Sequence, residues 1–468
     1  MEQSSEDLHS AIASYLPDRQ IITFSKEMLV FSGNMPNGKF QDPQEVSYFF
    51  HEWLHYLHNV STIHGISAFS SLIGLWNAFR FTTDKLGFGH GEFNGTSTEI
   101  LKTQTYTKIL STTRRPTGSP STGSTLVERF RIVACSPTGD VDGVPDQLDL
   151  IVEESNEAGD NVRYQKMFGP TEILESVAYL LESRLLVDAF GQDQSLAPAF
   201  PYHALTLLAR NVAPSLSERE ILLCGLTSLQ STFPVDAVFQ LLNVCDRLKG
   251  SGEDVNTVLE RFSIQNLQEH AAKVRAGLDE ISAMFPSDTG IAQAVKSTAS
   301  YMRANLDVRL TKPFFELELI EDIRMAGPGG FHKLMDRFLE KYGICSCRQE
   351  QDGLATDIGR DILFNFAIVS KDDKLNESRL ILLASFDHLI GHLMRDGTFQ
   401  HTEAVKRRCP FYTSCIESTR QDHPDDCGNR PWRAVITRPD DLCTYAAGVR
   451  DLGAPEDIRD RPLLAPDA

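Results

Sequence analysis

The strongest constraint in this sequence is a helix that carries two histidines four residues apart. Asp42 is a favourable N-cap residue, and Pro43 occupies the first helical position after it. These signals predict a helix from Pro43 to about Thr62. Within that helix, His51 and His55 project from the same face, because residues four apart lie one turn above each other.

The five residues HEWLH, at positions 51–55, have the spacing that zinc hydrolases use. Two imidazoles can bind one Zn²⁺ ion and leave room for one further protein ligand and a water molecule. The ion lowers the pKa of that water towards about 7, and a neighbouring carboxylate can then accept its proton. The motif therefore predicts His51 and His55 as ligands of one catalytic zinc and Glu52 as the general base. The alternative is an amphipathic helix whose histidines bind no metal.

The segment SYFFHEWLHYLHNVSTIHG resembles the active-site helix of the zincin metallopeptidases. It is also similar to helices of uncharacterised bacterial proteins with an HE-x-x-H-x-L-x-x-x-ST pattern. The metzincin branch fits poorly, since its pattern requires glycine and histidine where this chain has His58 and Ser61. The resemblance implies hydrolysis of peptide bonds, with a protein or peptide as the substrate.

A second segment, GPTEILESVAYLLESR, resembles the E-x-x-A-x-x-x-E run of gluzincins, with Glu175, Ala178 and Glu182 in the matching places. The resemblance implies that Glu175 is the third zinc ligand, that Ala178 permits close helix packing, and that Glu182 orients a ligand histidine. The chain departs from thermolysin-like enzymes in two ways. Glu175 lies 120 residues after His55, which an inserted β-region would explain, and Tyr179 stands where those enzymes have aspartate.

The residues alone leave the third ligand open. Glu172, Glu175 and Glu182 share one stripe of a helix opposite its apolar face, which is also the pattern of a solvated surface. One helix cannot easily place three consecutive turns around one ion, so His58 is expected beside the ligands rather than on the metal. His64, beyond the predicted helix end, and Glu172 are the alternative ligands.

A peptidase also needs a hydrogen-bond donor for the oxyanion that forms during attack on the carbonyl group. The segment FPYHA offers Tyr202 and His203, and we take His203 as the candidate catalytic residue of this pair. The alternative is that both residues are ordinary packing contacts in a loop. The strand-like run Met28–Phe31 is the predicted sheet edge for binding the substrate backbone.

Charge and composition narrow the possible partners. The chain has 45 basic and 64 acidic residues and a net charge of -19, which disfavours nucleic acid and anionic membranes as partners. Acidic residues stand near the start, where an export signal would carry positive charge, and no run approaches the roughly 18 apolar residues of a membrane span. Nine cysteines, an odd number, argue against a disulfide framework. We therefore expect a cytoplasmic protein.

The C-terminal region contains six of the nine cysteines. Free, reduced thiols are the simplest interpretation. The alternative is a second, structural zinc ion bound by Cys409, Cys415, His423 and Cys427, although the gap between the first two is wider than in usual zinc motifs. An iron–sulfur cluster is disfavoured, because compact C-x-x-C spacing is absent.

A second pair of histidines at helical spacing, His388 and His392, lies in the segment SFDHLIGHLM. Because no glutamate follows His388 and the neighbours are apolar, the pattern favours a packed core helix over a metal site.

The pattern of elements predicts an α+β protein. We expect a zincin-like catalytic domain with an inserted β-region at 1–195, a helical domain at 196–342 and a cysteine-containing module at 343–468. Strands are predicted at Thr125–Ala134, Leu148–Val152 and Val162–Phe168, and mobile loops from Gly87 to Ser124, where Gly, Ser and Thr are abundant.

Two rival functions share the same motif. In one, the zincin fold is an inactive platform, and the helical and cysteine-containing parts bind partners. In the other, the zinc hydrolyses an amide that is not a peptide.

Overall fold

The computed structural model has the α+β composition that the sequence predicts, with 61% of residues in helices and 12% in strands. The two sheets are small, and the part of the chain after the second sheet is predominantly helical. The structure describes residues 12–28, 42–91, 97–113, 127–139, 144–155, 161–194, 197–285, 289–354, 356–366, 372–394 and 396–453.

The helices are numbered in chain order. They are α1 (Pro43–Ser61), α2 (Ile63–Arg80), α3 (Ser97–Thr113), α4 (Pro170–Leu185), α5 (Ala204–Val212), α6 (Glu218–Ser228), α7 (Pro234–Gly250), α8 (Val255–Ala283), α9 (Ala292–Thr311), α10 (Phe315–Tyr342), α11 (Asp373–His392), α12 (Ser418–Asp422), α13 (Pro424–Asn429), α14 (Ala434–Thr437) and α15 (Thr444–Arg450). Among the described residues, no helix has both the length and the apolar character that crossing a membrane requires.

The strands form one mixed sheet and one antiparallel sheet. They are β1 (Ala13–Leu16), β2 (Ile21–Phe24), β3 (Phe130–Thr138), β4 (Gln147–Ser155), β5 (Asn161–Phe168), β6 (Ser346–Gln349) and β7 (Ile362–Phe364). In the mixed sheet the order is β1-β2-β6-β7, and β2 pairs in parallel with β6, Ile21 opposite Ser346. The other sheet is the meander β3-β4-β5. The mixed sheet therefore contains strands from both the 1–195 and the 343–468 regions. The division of the chain into separate domains remains a prediction.

Most predicted elements are present, and one prediction is wrong. The three predicted strands correspond to β3, β4 and β5. The predicted loop region from Gly87 to Ser124, however, contains α3. Side-chain hydroxyls of Thr103 and Thr107 bond to backbone carbonyls one turn earlier, and Leu110 is buried, so tertiary packing outweighs the weak helix propensity of threonine. Of the predicted edge Met28–Phe31, Met28 lies in a bend, and 29–31 lie outside the described residues.

Helix α1 runs through the centre of the core and is buried along most of its length. Its start follows the sequence signals, since the Asp42 carboxylate accepts the backbone N–H of Glu45 at 2.9 Å. Trp53 is fully buried, stacks on Phe338 of α10, and donates its indole N–H to the Gly343 carbonyl at 3.0 Å. These contacts hold α1 rigidly, which fixes the direction of the side chains that it carries.

A buried charged cluster anchors the C-terminal end of α1. Arg309 of α9 forms an ion pair with Glu316 of α10 and donates to the Ser61 hydroxyl at 2.8 Å, and both charged side chains are inaccessible to solvent. His58 Nε2 lies 3.2 Å from a carboxylate oxygen of Glu316. Burial lowers the pKa of His58 despite that carboxylate, so the imidazole is neutral near pH 7. The cluster links α1 to α9 and α10.

The buried His64 makes a prediction for acid stability. It is 3% exposed, and burial lowers its pKa to about 4 in the folded protein, against about 6.5 unfolded. Between these values the unfolded chain binds more protons, so stability falls as the pH falls through this window. From pH 7 to pH 5 we expect His64 to contribute a loss of about 2 kcal/mol in the free energy of unfolding.

Urea unfolding of the wild type and His64→Gln at both pH values measures this contribution. The variant is expected to lose less stability than the wild type on going to pH 5. Equal losses in both proteins would show that His64 is not held neutral.

Candidate metal centre

Three side chains from α1 and α4 converge on one point. His51 Nε2 and His55 Nε2 lie 3.2 Å and 3.3 Å from the same oxygen, Oε2 of Glu175. One ligand atom from each residue lies within 4.8 Å of the others, a spacing that one metal ion can bridge. Ala178, one turn further along α4, is fully buried, as expected of a small residue between packed helices. The structure therefore brings together the two motif histidines and the glutamate implied by the resemblance.

The opposite side of the His51 ring is also held. His51 Nδ1 lies 2.9 Å from Oε2 of Glu182, and the Ser47 hydroxyl donates to the other carboxylate oxygen at 3.0 Å. A carboxylate at Nδ1 fixes the tautomer of the imidazole and leaves Nε2 free to bind a metal. Glu182 thus occupies the orienting position that the sequence resemblance implies. Ser47, one turn before His51 on α1, has no signature in the sequence that would have marked it.

The donor set fits a zinc ion. Two imidazole nitrogens and one carboxylate oxygen are zinc ligands, and three ligands leave a position for water. His55 Nε2 is buried and, although it lies 3.3 Å from Glu175 Oε2, it forms no well-aligned hydrogen bond, so a bound cation would satisfy it. The charges agree, since Glu52, Glu175 and Glu182 face only two histidines, and this excess of acid attracts a cation.

The same charges shift the pKa values of Glu175 and His51. Burial opposes ionisation of Glu175, but the His55 and His51 imidazoles outweigh it and hold the pKa of that carboxyl below its usual range. Burial also opposes protonation of His51, yet the carboxylates of Glu175 and Glu182 raise its pKa above the usual value. For Glu52, burial raises the pKa. A proton and a metal ion would therefore compete for the same imidazole and carboxylate groups.

Glu52 lies beside the three converging residues and is not one of them. It is 9% exposed and interacts electrostatically with His51, His55 and Glu175. One position after His51 on the helix, its side chain points to the adjacent side of the site. A carboxylate in this position could act on a water molecule at the candidate metal centre without being one of its ligands.

Of the predicted oxyanion donors, Tyr202 is the one beside the ligands. Its ring centroid lies 5.9 Å from that of His51, edge to face, and burial and the nearby carboxylate of Glu175 raise the pKa of its phenol. His203 instead contacts Tyr179, with ring centroids 4.6 Å apart. Burial and the charge of Arg210 lower the pKa of His203 to about 4. The described ring contact of His203 is thus with Tyr179 and not with His51, His55 or Glu175.

The turn that carries Tyr202 is tied to the helix that carries Glu175. The Ser176 hydroxyl donates to the Pro201 carbonyl at 2.9 Å and accepts the backbone N–H of Leu205 at 3.1 Å. Ser176 is fully buried and directly follows Glu175. Sequence reasoning missed this positioning residue, because a serine among apolar helix residues carries no pattern that predicts its partners.

The other candidate ligands have different partners. The Glu172 carboxylate accepts the backbone N–H of Gly169 at 2.7 Å and so caps α4. His64 donates its backbone N–H to the Leu229 carbonyl, and His58 faces Glu316. None of these three belongs to the group of potential metal ligands identified among the described residues.

The second histidine pair is part of the core, as predicted. His388 and His392 are buried, and His392 Nε2 lies 2.8 Å from the Thr402 hydroxyl. The ring of His392 packs on Phe79 with centroids 4.7 Å apart.

The cysteines proposed for a structural zinc do come together, but with a different fourth member. Cys409, Cys415 and Cys427 line one cavity, and Cys443 lines it with them. His423 is not among the residues lining that cavity, and its backbone forms the link between α12 and α13.

Comparison with known proteins adds no family to this geometry. No protein-family model matches the chain, and neither the curated proteins nor the solved structures gave a significant match. What the fold and the site define is an α+β protein with a two-histidine, one-glutamate group at the crossing of α1 and α4.

Proposed function

We propose that this protein is a zinc-dependent metallopeptidase. The observation that carries the proposal is the convergence of His51, His55 and Glu175, with Glu182 on the far side of His51. Two histidines four residues apart are common on helices and do not by themselves indicate a metal site. A glutamate more than a hundred residues away that meets both of them, with a second carboxylate orienting one, is much less expected of an ordinary packed helix.

His51, His55 and Glu175 would hold the zinc, which would supply Lewis-acid chemistry and lower the pKa of a water molecule. Glu52 would accept a proton from the attacking water as the water oxygen bonds to the substrate carbonyl carbon. The same carboxyl group then returns the proton to the leaving nitrogen as the carbon–nitrogen bond breaks. The buried position of Glu52 keeps competing solvent away from this transfer.

Tyr202 serves as the hydrogen-bond donor for the developing oxyanion. Its phenol stays protonated, because burial and the carboxylates of Glu175, Glu52 and Glu182 disfavour the phenolate. A neutral hydroxyl beside the ligands can donate to negative charge on the carbonyl oxygen. Ser176 holds the turn in place, which fixes the distance between this donor and α4.

Metal removal tests the proposed activity. Full-length protein is incubated with an unbiased peptide library, and cleavage products are identified by mass spectrometry. We expect cleavage that a chelator abolishes and added zinc restores, and that His51→Ala lacks, because the ion needs both imidazoles. His270→Ala, an exposed histidine of α8, is the matched control and should cleave normally.

Two outcomes would contradict the proposal. Cleavage by His51→Ala at the wild-type rate would show that the centre is not the catalyst. Zinc bound in equal amount to the chain with no peptide cleaved would favour the inactive platform or an amide substrate of another kind.

A further inference from the structure

A second chemical site lies in the C-terminal region, far along the chain from the metal centre. Four cysteines line a single cavity of about 130 Å³, namely Cys409, Cys415, Cys427 and Cys443. The remaining walls are largely apolar and include Phe411 and Tyr445, which are 5% and 2% exposed. The cavity thus combines four thiols with a largely apolar lining.

The fold brings these cysteines together from separate segments. The backbone N–H of Cys409 bonds to the Cys427 carbonyl at 2.9 Å, which joins the loop after residue 404 to α13. Cys443 is the N-cap residue of α15. The thiol of Cys427 interacts electrostatically with those of Cys443 and Cys415. Their proximity is therefore built by backbone contacts as well as by side-chain packing.

Backbone amides point at three of the sulfur atoms. Glu417 donates its N–H to Cys415 Sγ at 3.4 Å. Cys443 receives backbone hydrogen bonds from Tyr445 and Ala446, and Cys409 receives one from Phe411. Such bonds favour a negatively charged sulfur, which is the form that binds metals. Burial has the opposite effect and raises the pKa of all four thiols, that of Cys427 to about 11.

Among the described residues, the four sulfurs do not form a group that could hold a single zinc ion. Zinc–sulfur bonds of 2.3 Å in a tetrahedron place the sulfurs about 3.8 Å apart. All four cysteines are within the described residues, yet no three of their sulfurs belong to a group that could hold one metal ion. In a cubane cluster each cysteine binds a different iron, so the sulfurs stand farther apart.

The cavity volume also fits a group of several atoms better than a single ion. A site for one water-sized atom needs about 10–15 Å³ on the same measure. The cavity here offers about 130 Å³, enough for a group of several atoms and far more than a single ion requires. A cluster of iron and sulfide atoms has that size.

We propose that Cys409, Cys415, Cys427 and Cys443 bind a [4Fe–4S] cluster. Each thiol releases its proton and binds one iron atom, and the sulfide ions bridge the irons. The cluster would link α13, the start of α15 and the loops between them. The helices in this region are short. The compact C-x-x-C spacing typical of such clusters is absent from this sequence. Here the fold would bring together cysteines that are far apart along the chain.

Metal and sulfide analysis tests this assignment. The full-length protein is purified without oxygen, incubated under anaerobic conditions with sulfide and equal amounts of ferric and ferrous iron, and freed of unbound reagents. We expect about four irons and four acid-labile sulfides per chain, with the broad visible absorption of a bridged cluster. Cys443→Ala and Cys415→Ala should lose most of the iron, the sulfide and the absorption.

Two controls separate this site from other effects. Cys135→Ala removes a half-buried thiol of β3 outside the cavity and should retain the cluster. His51→Ala should also retain it, so failure of the zinc proposal and failure of this one give different results. Circular dichroism of Cys415→Ala, whose thiol is only partly buried, shows whether the variant is folded.

Two results would overturn the proposal. Zinc bound without sulfide and lost in Cys443→Ala would define a single-ion structural site. A folded wild-type protein that retains neither iron nor sulfide would show that the cavity holds no cluster.

Discussion

Replacement of Glu52 by glutamine is expected to leave zinc binding unchanged and to lower the rate of peptide hydrolysis by about 10²–10⁴-fold. The amide has nearly the same shape as the carboxylate, so the packing of this buried residue is retained. It cannot accept a proton from water, however, and it is not one of the three converging ligands. Steady-state cleavage of a library-derived peptide, together with zinc analysis of the same sample, measures both quantities.

Glu45→Gln provides the control for this substitution. Glu45 lies two turns earlier on the same helix and outside the ligand group, so its variant should retain both zinc and activity. If Glu52→Gln hydrolysed peptides as fast as the wild type, Glu52 would not be the base. If it lost zinc, Glu52 would be a ligand, and the arrangement proposed here would be wrong.

Replacement of Arg309 by methionine is expected to lower the free energy of unfolding by about 3–5 kcal/mol. The substitution removes the charge that stabilises Glu316 in a site that excludes solvent completely. It also removes two hydrogen bonds to the Ser61 hydroxyl at the end of α1. The carboxylate must then stay buried without a partner charge or take up a proton, and either change costs free energy.

Urea unfolding at pH 7 measures the loss, and Arg303→Met is the matched control on the same helix. Arg303 pairs with Asp279, but both side chains are partly or largely exposed, at 31% and 74%. Water already screens such a pair, so that variant should lose about 1 kcal/mol or less. The double variant Arg309→Met/Glu316→Leu should recover part of the loss, because no charge is left unpaired. If Arg309→Met and Arg303→Met lowered the free energy of unfolding equally, the buried cluster would contribute no more to stability than an exposed ion pair.

The parts of the site that the sequence predicts best are those that depend on local structure. The cap at Asp42 and the proline after it determine where α1 begins, and the helix does begin at Pro43. The spacing of His51 and His55 then determines that they share a face. Local periodicity contains this information, because a helix repeats the same geometry wherever it forms.

Contacts between distant segments were less predictable. Residue spacing did not indicate that Glu175 meets both histidines, and only the resemblance to gluzincins suggested it. Likewise, nothing near Tyr202 in the sequence distinguished it from His203, since the difference depends on which side of the turn faces α1. Ser176 shows the same limit, because its two backbone partners lie 25 and 29 residues away.

Composition was a poor guide in two places. The Ser- and Thr-rich segment that forms α3 looked like a loop, because its propensity is weak and its helix depends on packing. The sequence offered His423 as the fourth member of a cysteine site, whereas the cavity is lined by Cys443, which lies 16 residues beyond Cys427. In both cases the three-dimensional neighbours decide the outcome.

The zinc affinity of the metal centre tests the central claim most directly. Competition titration of wild type, Glu175→Ala and Glu182→Gln against a chelator of known affinity gives one dissociation constant for each protein, with His51→Ala as the background. We expect wild type to bind one zinc, Glu182→Gln to bind it about 10–100-fold more weakly, and Glu175→Ala to lose still more affinity. Wild-type affinity in Glu175→Ala would contradict the proposed centre.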